Sequence, residues 1–188
     1  MSYDYLLPHI QGENWPDLIQ VSIGEILPEI AKKENIVGCE IGINWGISLA
    51  YTLDTVPNIS KIYAIDPYSG YDGSFDLSIC KPHFISKMTG DKMSKVVFIE
   101  KTSDEAAADI PDDSLDYVFI DGLHTYEQAL QDCRNYWNKV KIGGIFSGHD
   151  WLMSEIQNSV YTFMDEMSIP REKLKITPNN GIWYWIKE

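Results

Sequence analysis

The chain has 188 residues, 44% of them hydrophobic, which is enough for a core of ordinary domain size and too many for wholesale disorder. Its 15 lysines and arginines face 28 aspartates and glutamates, a formal net charge of −13. A protein that grips DNA or RNA along its backbone needs a basic face, and no Lys/Arg cluster here is large enough, so the expectation is no nucleic-acid partner. The opening MSYDYLLPHI lacks the basic flank and apolar run of a signal peptide, and no stretch approaches the ~20 apolar residues of a membrane span. Cys39, Cys80 and Cys133 form no C-x-x-C pair and read as small buried hydrophobes. A cytoplasmic protein without a membrane partner is the expectation.

In residues 14–34, Ile19, Ile23, Ile26, Leu27 and Ile30 recur at helical steps, interrupted by Gly24 and Pro28, which predicts a kink or two short helices. IVGCEIGI, residues 36–43, is a near-continuous apolar run of the kind that suits a parallel strand covered on both faces. A helix over 46–53, a strand over 61–67, a weaker helix near 82–88 and a strand over 95–100 follow. A short helix is expected over 104–109 and a fourth strand over 115–120. Thr125 and Gln128 then have the spacing of a capping box. Behind them Ala129, Leu130, Cys133, Tyr136, Trp137 and Val140 form one apolar stripe, which Gly143-Gly144 is expected to stop. GIFSGHDW reads as a fifth strand and residues 154–167 as an amphipathic helix. LKIT and IWYWIKE, joined by Pro-Asn-Asn-Gly, read as an antiparallel hairpin. Alternating strands and helices imply an α/β fold, a Rossmann-like doubly wound sheet of seven mostly parallel strands with the hairpin at its far edge.

In such sheets ligands sit outside the carboxyl ends of the strands. After the first strand stands EIGINWG, residues 40–46. Its glycines let the backbone approach a ligand, and Glu40 is placed to meet an ammonium. After the second stands Asp66, suited to ribose hydroxyls. Thr102 and Ser103 follow the third, Asp121 and His124 the fourth, His149 and Asp150 the fifth. Singly, each is as well explained by turn chemistry or capping. Together they fall on one rim.

EIGINWG, YAIDPY, VFIDGLHTYEQALQD and GGIFSGHDW resemble a class I S-adenosylmethionine-dependent methyltransferase. The likeness is to the small-molecule O-methyltransferase branch that includes macrocin O-methyltransferase-like and cephalosporin-hydroxylase-like proteins. It covers residues 36–188. The resemblance implies S-adenosyl-L-methionine as cofactor and a small hydroxylated molecule as acceptor. It implies that Glu40, Gly42, Asn44, Gly46 and Ser48 hold the methionine end of the cofactor, that Asp66 binds the ribose, and that Thr102 and Ser103 lie by the adenine. Asp121 would reach toward both the cofactor and a divalent metal completed by His149 and Asp150. The usual pair there is acid-acid or acid-amide, so a histidine suits Mg less well than Mn, Zn or Fe, or means no metal, with His149 as base. His124 stands where related enzymes carry a lysine base and is either base or helix frame.

The acceptor pocket is expected among Tyr68, Tyr71, Phe75, Trp15 and Trp151, with Trp183 and Trp185 in the core. The whole chain is expected to be one domain, with residues 1–35 a lid or the interface of a homodimer. A nicotinamide-dependent oxidoreductase would want G-x-G-x-x-G, which is absent. A base-modifying methyltransferase would want Asp-Pro-Pro-Tyr after the fourth strand, where Asp-Gly-Leu-His stands. A non-catalytic cofactor-binding subunit remains the other class.

Overall fold

The computed structural model describes residues 23–69, 77–178 and 181–188. Trp15, Tyr71, Phe75, the hairpin's Asn179 and Asn180, and all of the N-terminal helix before Ile23 lie outside the described residues. From Ile23 on, that helix is interrupted: a 3-10 turn at Ile23–Glu25 precedes α1, Leu27–Ile30, with Pro28 in its first turn, where a missing N–H costs nothing.

Among the described residues seven strands form one sheet: β1 Ile36–Ile41, β2 Ile59–Ile65, β3 Val96–Ile99, β4 Leu115–Ile120, β5 Val140–Gly148, β6 Lys175–Ile176 and β7 Trp183–Ile186. Their order is β3-β2-β1-β4-β5-β7-β6. β1 to β5 run parallel, and β7 lies antiparallel between β5 and β6. The strand order reverses at β1, between β2 and β4, which is the expected switch point. The connecting helices are α2 Ile47–Thr55, α3 Cys80–Lys87, α4 Lys92–Lys95, α5 Ser103–Ala106, α6 Tyr126–Trp137 and α7 Ser154–Glu166.

β4 is buried along its whole length, and its alternate side chains feed two cores. Tyr117 and Phe119 join Leu49, Leu53 and Phe84 on one face of the sheet. Val118 and Ile120 join Leu130, Tyr136, Val160 and Phe163 on the other. A two-residue period with both faces covered gives the continuous apolar runs seen in the sequence. All three cysteines are buried, and Trp183 and Trp185 lie in the second core.

The Gly143-Gly144 pair does not end a helix. α6 stops at Trp137, and β5 has already begun at Val140, which pairs with Leu115; the register then slips so that Ile145 meets Tyr117. Gly143, at φ +75°, sits in that irregularity, where a glycine takes a left-handed backbone at no steric cost.

The junction is closed by Lys187. Its buried ammonium donates to the carbonyls of Trp137 (3.0 Å) and Val140 (2.8 Å) and lies 4.9 Å from the centre of the Trp137 ring. A cation there satisfies carbonyls left over at a helix end and ties the last strand to the rest. Lys187→Met should therefore cost about 1–3 kcal/mol through two orphaned carbonyls. In a chain of this size that lowers the unfolding temperature by about 2–12 °C, which a thermal melt by circular dichroism reads.

Candidate active site

The rim of the sheet is built by backbone turns that put polar groups where the strands end. At the end of β1, Gly42 has φ +87° and Gly46 φ +73°. A Cβ on Gly42 would lie 2.0 Å from the Asp121 carbonyl oxygen, and one on Gly46 would lie 2.7 Å from Phe84. Asn44, between them, takes φ +48°, a conformation asparagine tolerates better than most residues. Gly46 caps α2 with no side-chain partner for the first-turn amides among the described residues, a helix end suited to an anion.

Asp66 stabilises this loop. One carboxylate oxygen accepts the Asn44 amide and the other the Tyr68 amide, each at 2.8 Å. Burial raises the Asp66 pKa, opposed by those amides. The Tyr68 hydroxyl donates to the Asn44 carbonyl at 2.9 Å, and its ring packs with Phe84 and Phe98. At 4% exposure Tyr68 braces the loop from inside and does not line an acceptor pocket. Beneath the loop Glu40 is 1% exposed, and its Oε2 has no hydrogen-bond partner, like the buried Ser48 Oγ. Burial, then the charge of Asp121, pushes Glu40 up to about 8, opposed by the nearby Ser48 hydroxyl. A buried carboxyl with its Oε2 unpartnered among the described residues, beside uncapped amides, fits the zwitterionic end of an amino acid: an ammonium for the acid, a carboxylate for the amides.

From this loop a cleft of about 210 Å³ runs along the ends of β1, β2 and β3, bordered by Gly42, Asp66, Thr102, Ser103, Leu123 and Gln128. Thr102 caps α5 reciprocally with Glu105.

Beyond Asp121 the rim turns metal-like. Ligand atoms of Asp121, His124 and Asp150 all lie within 4.8 Å of one another. His124 Nε2 stands 3.0 Å from Asp150 Oδ2 and 3.4 Å from Asp121 Oδ1, yet neither approach has hydrogen-bond geometry. His149 Nδ1 lies 3.5 Å from the same two carboxylate oxygens. Burial alone would lower both imidazoles, but the two carboxylates raise each to about 10. Burial would raise Asp150, yet His124 and His149 hold it well below the usual carboxylate range. Asp150 has φ +56°, and the His149 carbonyl is fixed by the Trp183 indole at 3.0 Å, so the far hairpin positions this pair. The sequence pattern offers His149 with the two acids; the structure adds His124 to that set.

The profile of the methyltransferase-domain family matches residues 39–151, from within β1 through the His149-Asp150 turn. The chain belongs to that family, the class I S-adenosylmethionine-dependent type. Two methyltransferase structures have the same fold. A precorrin-6y C5,15-methyltransferase from Geobacter metallireducens has a TM-score of 0.66 and 14% identity, covering 88% of this chain and 87% of that one. An O-methyltransferase from Bacillus cereus, solved with S-adenosylhomocysteine, has a TM-score of 0.63 and 9% identity, covering 87% and 79%. The uncharacterised protein y4gI of Sinorhizobium fredii is 29% identical over 156 residues. That match takes in 79% of this chain but only 17% of the relative's length. Among the described residues no helix is long and apolar enough to cross a membrane.

Two residues of this methyltransferase domain escaped the sequence reading. Asp132, 1% exposed on α6, accepts from the Ser103 hydroxyl at 2.6 Å and from the Gln128 amide at 3.0 Å. An acid inside the apolar stripe of α6 was the signal. Gln128 completes only half of the expected capping box: Thr125 Oγ1 accepts its backbone amide, but its side chain turns to Ser103 and Asp132 instead. Burial pushes Asp132 up to about 6, opposed by those two donors. The unfolded carboxyl ionises near ~3.9, so between about pH 4 and 6 the folded chain holds a proton that the unfolded chain has lost. Stability from this group therefore falls as pH rises through that window. Asp132→Asn, which keeps an acceptor and cannot ionise, should flatten the decline when urea unfolding is compared at pH 4.5 and 7.

Proposed function

We propose that this domain transfers the methyl group of S-adenosylmethionine to a hydroxyl of a small molecule, with help from a divalent cation. The observation that carries the reading is the juxtaposition at the carboxyl ends of β4 and β5. Two carboxylates and two imidazoles converge there, next to a cleft whose loop suits an amino-acid zwitterion. The bound cofactor supplies an electrophilic methyl on a sulfonium, and a divalent cation lowers the pKa of a hydroxyl oxygen and orients it.

The chain's own part is positioning and proton removal. The free amides of α2 and Glu40 hold the amino-acid end. Asp66, whose carboxylate oxygens retain lone pairs beyond the two amides, faces the ribose. Asp121, Asp150 and His124 would hold the cation, and a mixed N/O set suits Mn²⁺, Zn²⁺ or Fe²⁺ better than Mg²⁺. An imidazole that ligates a cation cannot also take up a proton at the same nitrogen, which leaves His149 for the acceptor hydroxyl; a cation on Asp121 and Asp150 would neutralise the carboxylates that raise His149 to about 10 and so free it to act as a base. The acid-rich surface and the O-methyltransferase neighbour from Bacillus cereus support a small hydroxylated acceptor over a nucleic acid.

Calorimetric titration of Mg²⁺, Mn²⁺ and Zn²⁺ into chelator-treated protein should give a saturable heat that Asp121→Ala loses. Asp150→Ala should keep S-adenosylhomocysteine binding within about threefold while cutting methyl transfer at least ~100-fold. Parallel loss of both would break the division between cofactor loop and metal rim.

A further inference from the structure

On the wall of the cleft, Gln128 stands in an unusual hydrogen-bond arrangement. Its Nε2 lies 3.0 Å from Asp132 Oδ1, 3.2 Å from Ser103 Oγ and 3.4 Å from Asp104 Oδ1. All three are acceptors toward it, because the Ser103 hydroxyl already donates its proton to Asp132 at 2.6 Å. Turning the amide over would set its carbonyl against two carboxylates, so the chemistry of the neighbours fixes which end is nitrogen. Asp104 is itself held by the Asn135 amide at 2.7 Å, and Asp132 is buried, so the acceptors are not free to move away. Oε1, on the other branch of the same planar amide, receives no donor among the described residues, and Gln128 borders the cleft.

We propose that Gln128 reads the nucleobase, its Oε1 accepting from the 6-amino group of adenine. This rests on the cofactor reading above. With Asp66 on the ribose, the base falls toward Thr102, Ser103 and Gln128, at the end of β3 and the start of α6. A glutamine whose nitrogen is fully occupied behind it presents an acceptor alone. Such a group accepts from a 6-amino purine and opposes a 6-oxo purine, whose oxygen would meet it acceptor to acceptor. A site built to pair with a polar group discriminates strongly against a ligand that leaves it unpaired. The half-formed capping box agrees: the Gln128 side chain gives up the local partner at Thr125 that its position offers and is drawn to the cleft wall.

The test is calorimetric titration of S-adenosylhomocysteine and its deaminated analogue S-inosylhomocysteine into the full chain and into Gln128→Met, with thermal melts alongside. The wild-type chain should prefer the adenosyl compound by about tenfold or more. In Gln128→Met that preference should shrink to within about twofold, through weaker adenosyl binding with inosyl binding held. Gln128→Asn, whose shorter amide cannot reach, should behave alike and serves if the methionine variant fails to fold. Equal wild-type affinities, or an unchanged ratio in the variants, would overturn the assignment to Gln128 while the cofactor reading stands. Binding of neither compound by the wild-type chain would overturn both.

Discussion

The carboxyl ends of β1 and β4 approach so closely that position 42 has room for no side chain: a Cβ there would lie 2.0 Å from the Asp121 carbonyl oxygen. The contact is set by the sheet. The Asp121 amide donates to the Ile41 carbonyl and the Gly42 amide to that of Ile65, so three adjacent strands end in register around one glycine. Because the backbone turns away at Gly42 with a positive φ, the loop folds back over the strand ends and covers Glu40. Asp121 is carried out to the rim by the same pairing. The amino-acid end of the site and the carboxylate end are therefore two consequences of one close approach, and neither is adjustable without the other.

The strand ends were legible because they depend on one-dimensional pattern. Apolar runs of strand length locate β1, β2, β4 and β7 to within two residues, and the polar residues after the parallel runs β1, β2 and β4 land on one rim by topology alone. What stayed hidden depends on contacts between segments distant in the chain. Nothing near Tyr68 in sequence says that its hydroxyl reaches back 24 residues to the Asn44 carbonyl. The ligand-like placement of His124 needs Asp150, delivered by a neighbouring strand. Gln128 shows the limit most plainly. Its spacing from Thr125 is that of a capping box, and half of the box forms, but a buried acid one turn further along the same helix captures the side chain. Local propensity and tertiary chemistry competed for one amide, and the charged acceptor won, as charge-assisted hydrogen bonds generally do.

The same electrostatic logic governs the site as a whole. A chain with a formal charge of −13 gathers Glu40, Asp66, Asp121 and Asp150 on one rim, three of them substantially withdrawn from water. Carboxylates so placed must be protonated, hydrogen-bonded or matched by cations. Asp66 is matched by backbone amides and Asp150 by two histidines, whereas Glu40, whose Oε2 has no hydrogen-bond partner among the described residues, is pushed up to about 8 by burial. The ligand in the proposed function brings the complementary charges: an ammonium, a sulfonium and an accompanying metal ion. The folded chain thus carries, in its buried and unmet Glu40 carboxyl, a place suited to a positive group. This favours a cofactor that brings an ammonium and a sulfonium over an anionic dinucleotide at the same switch point, because phosphates would meet the carboxylates of Asp66 and Asp121 with like charge.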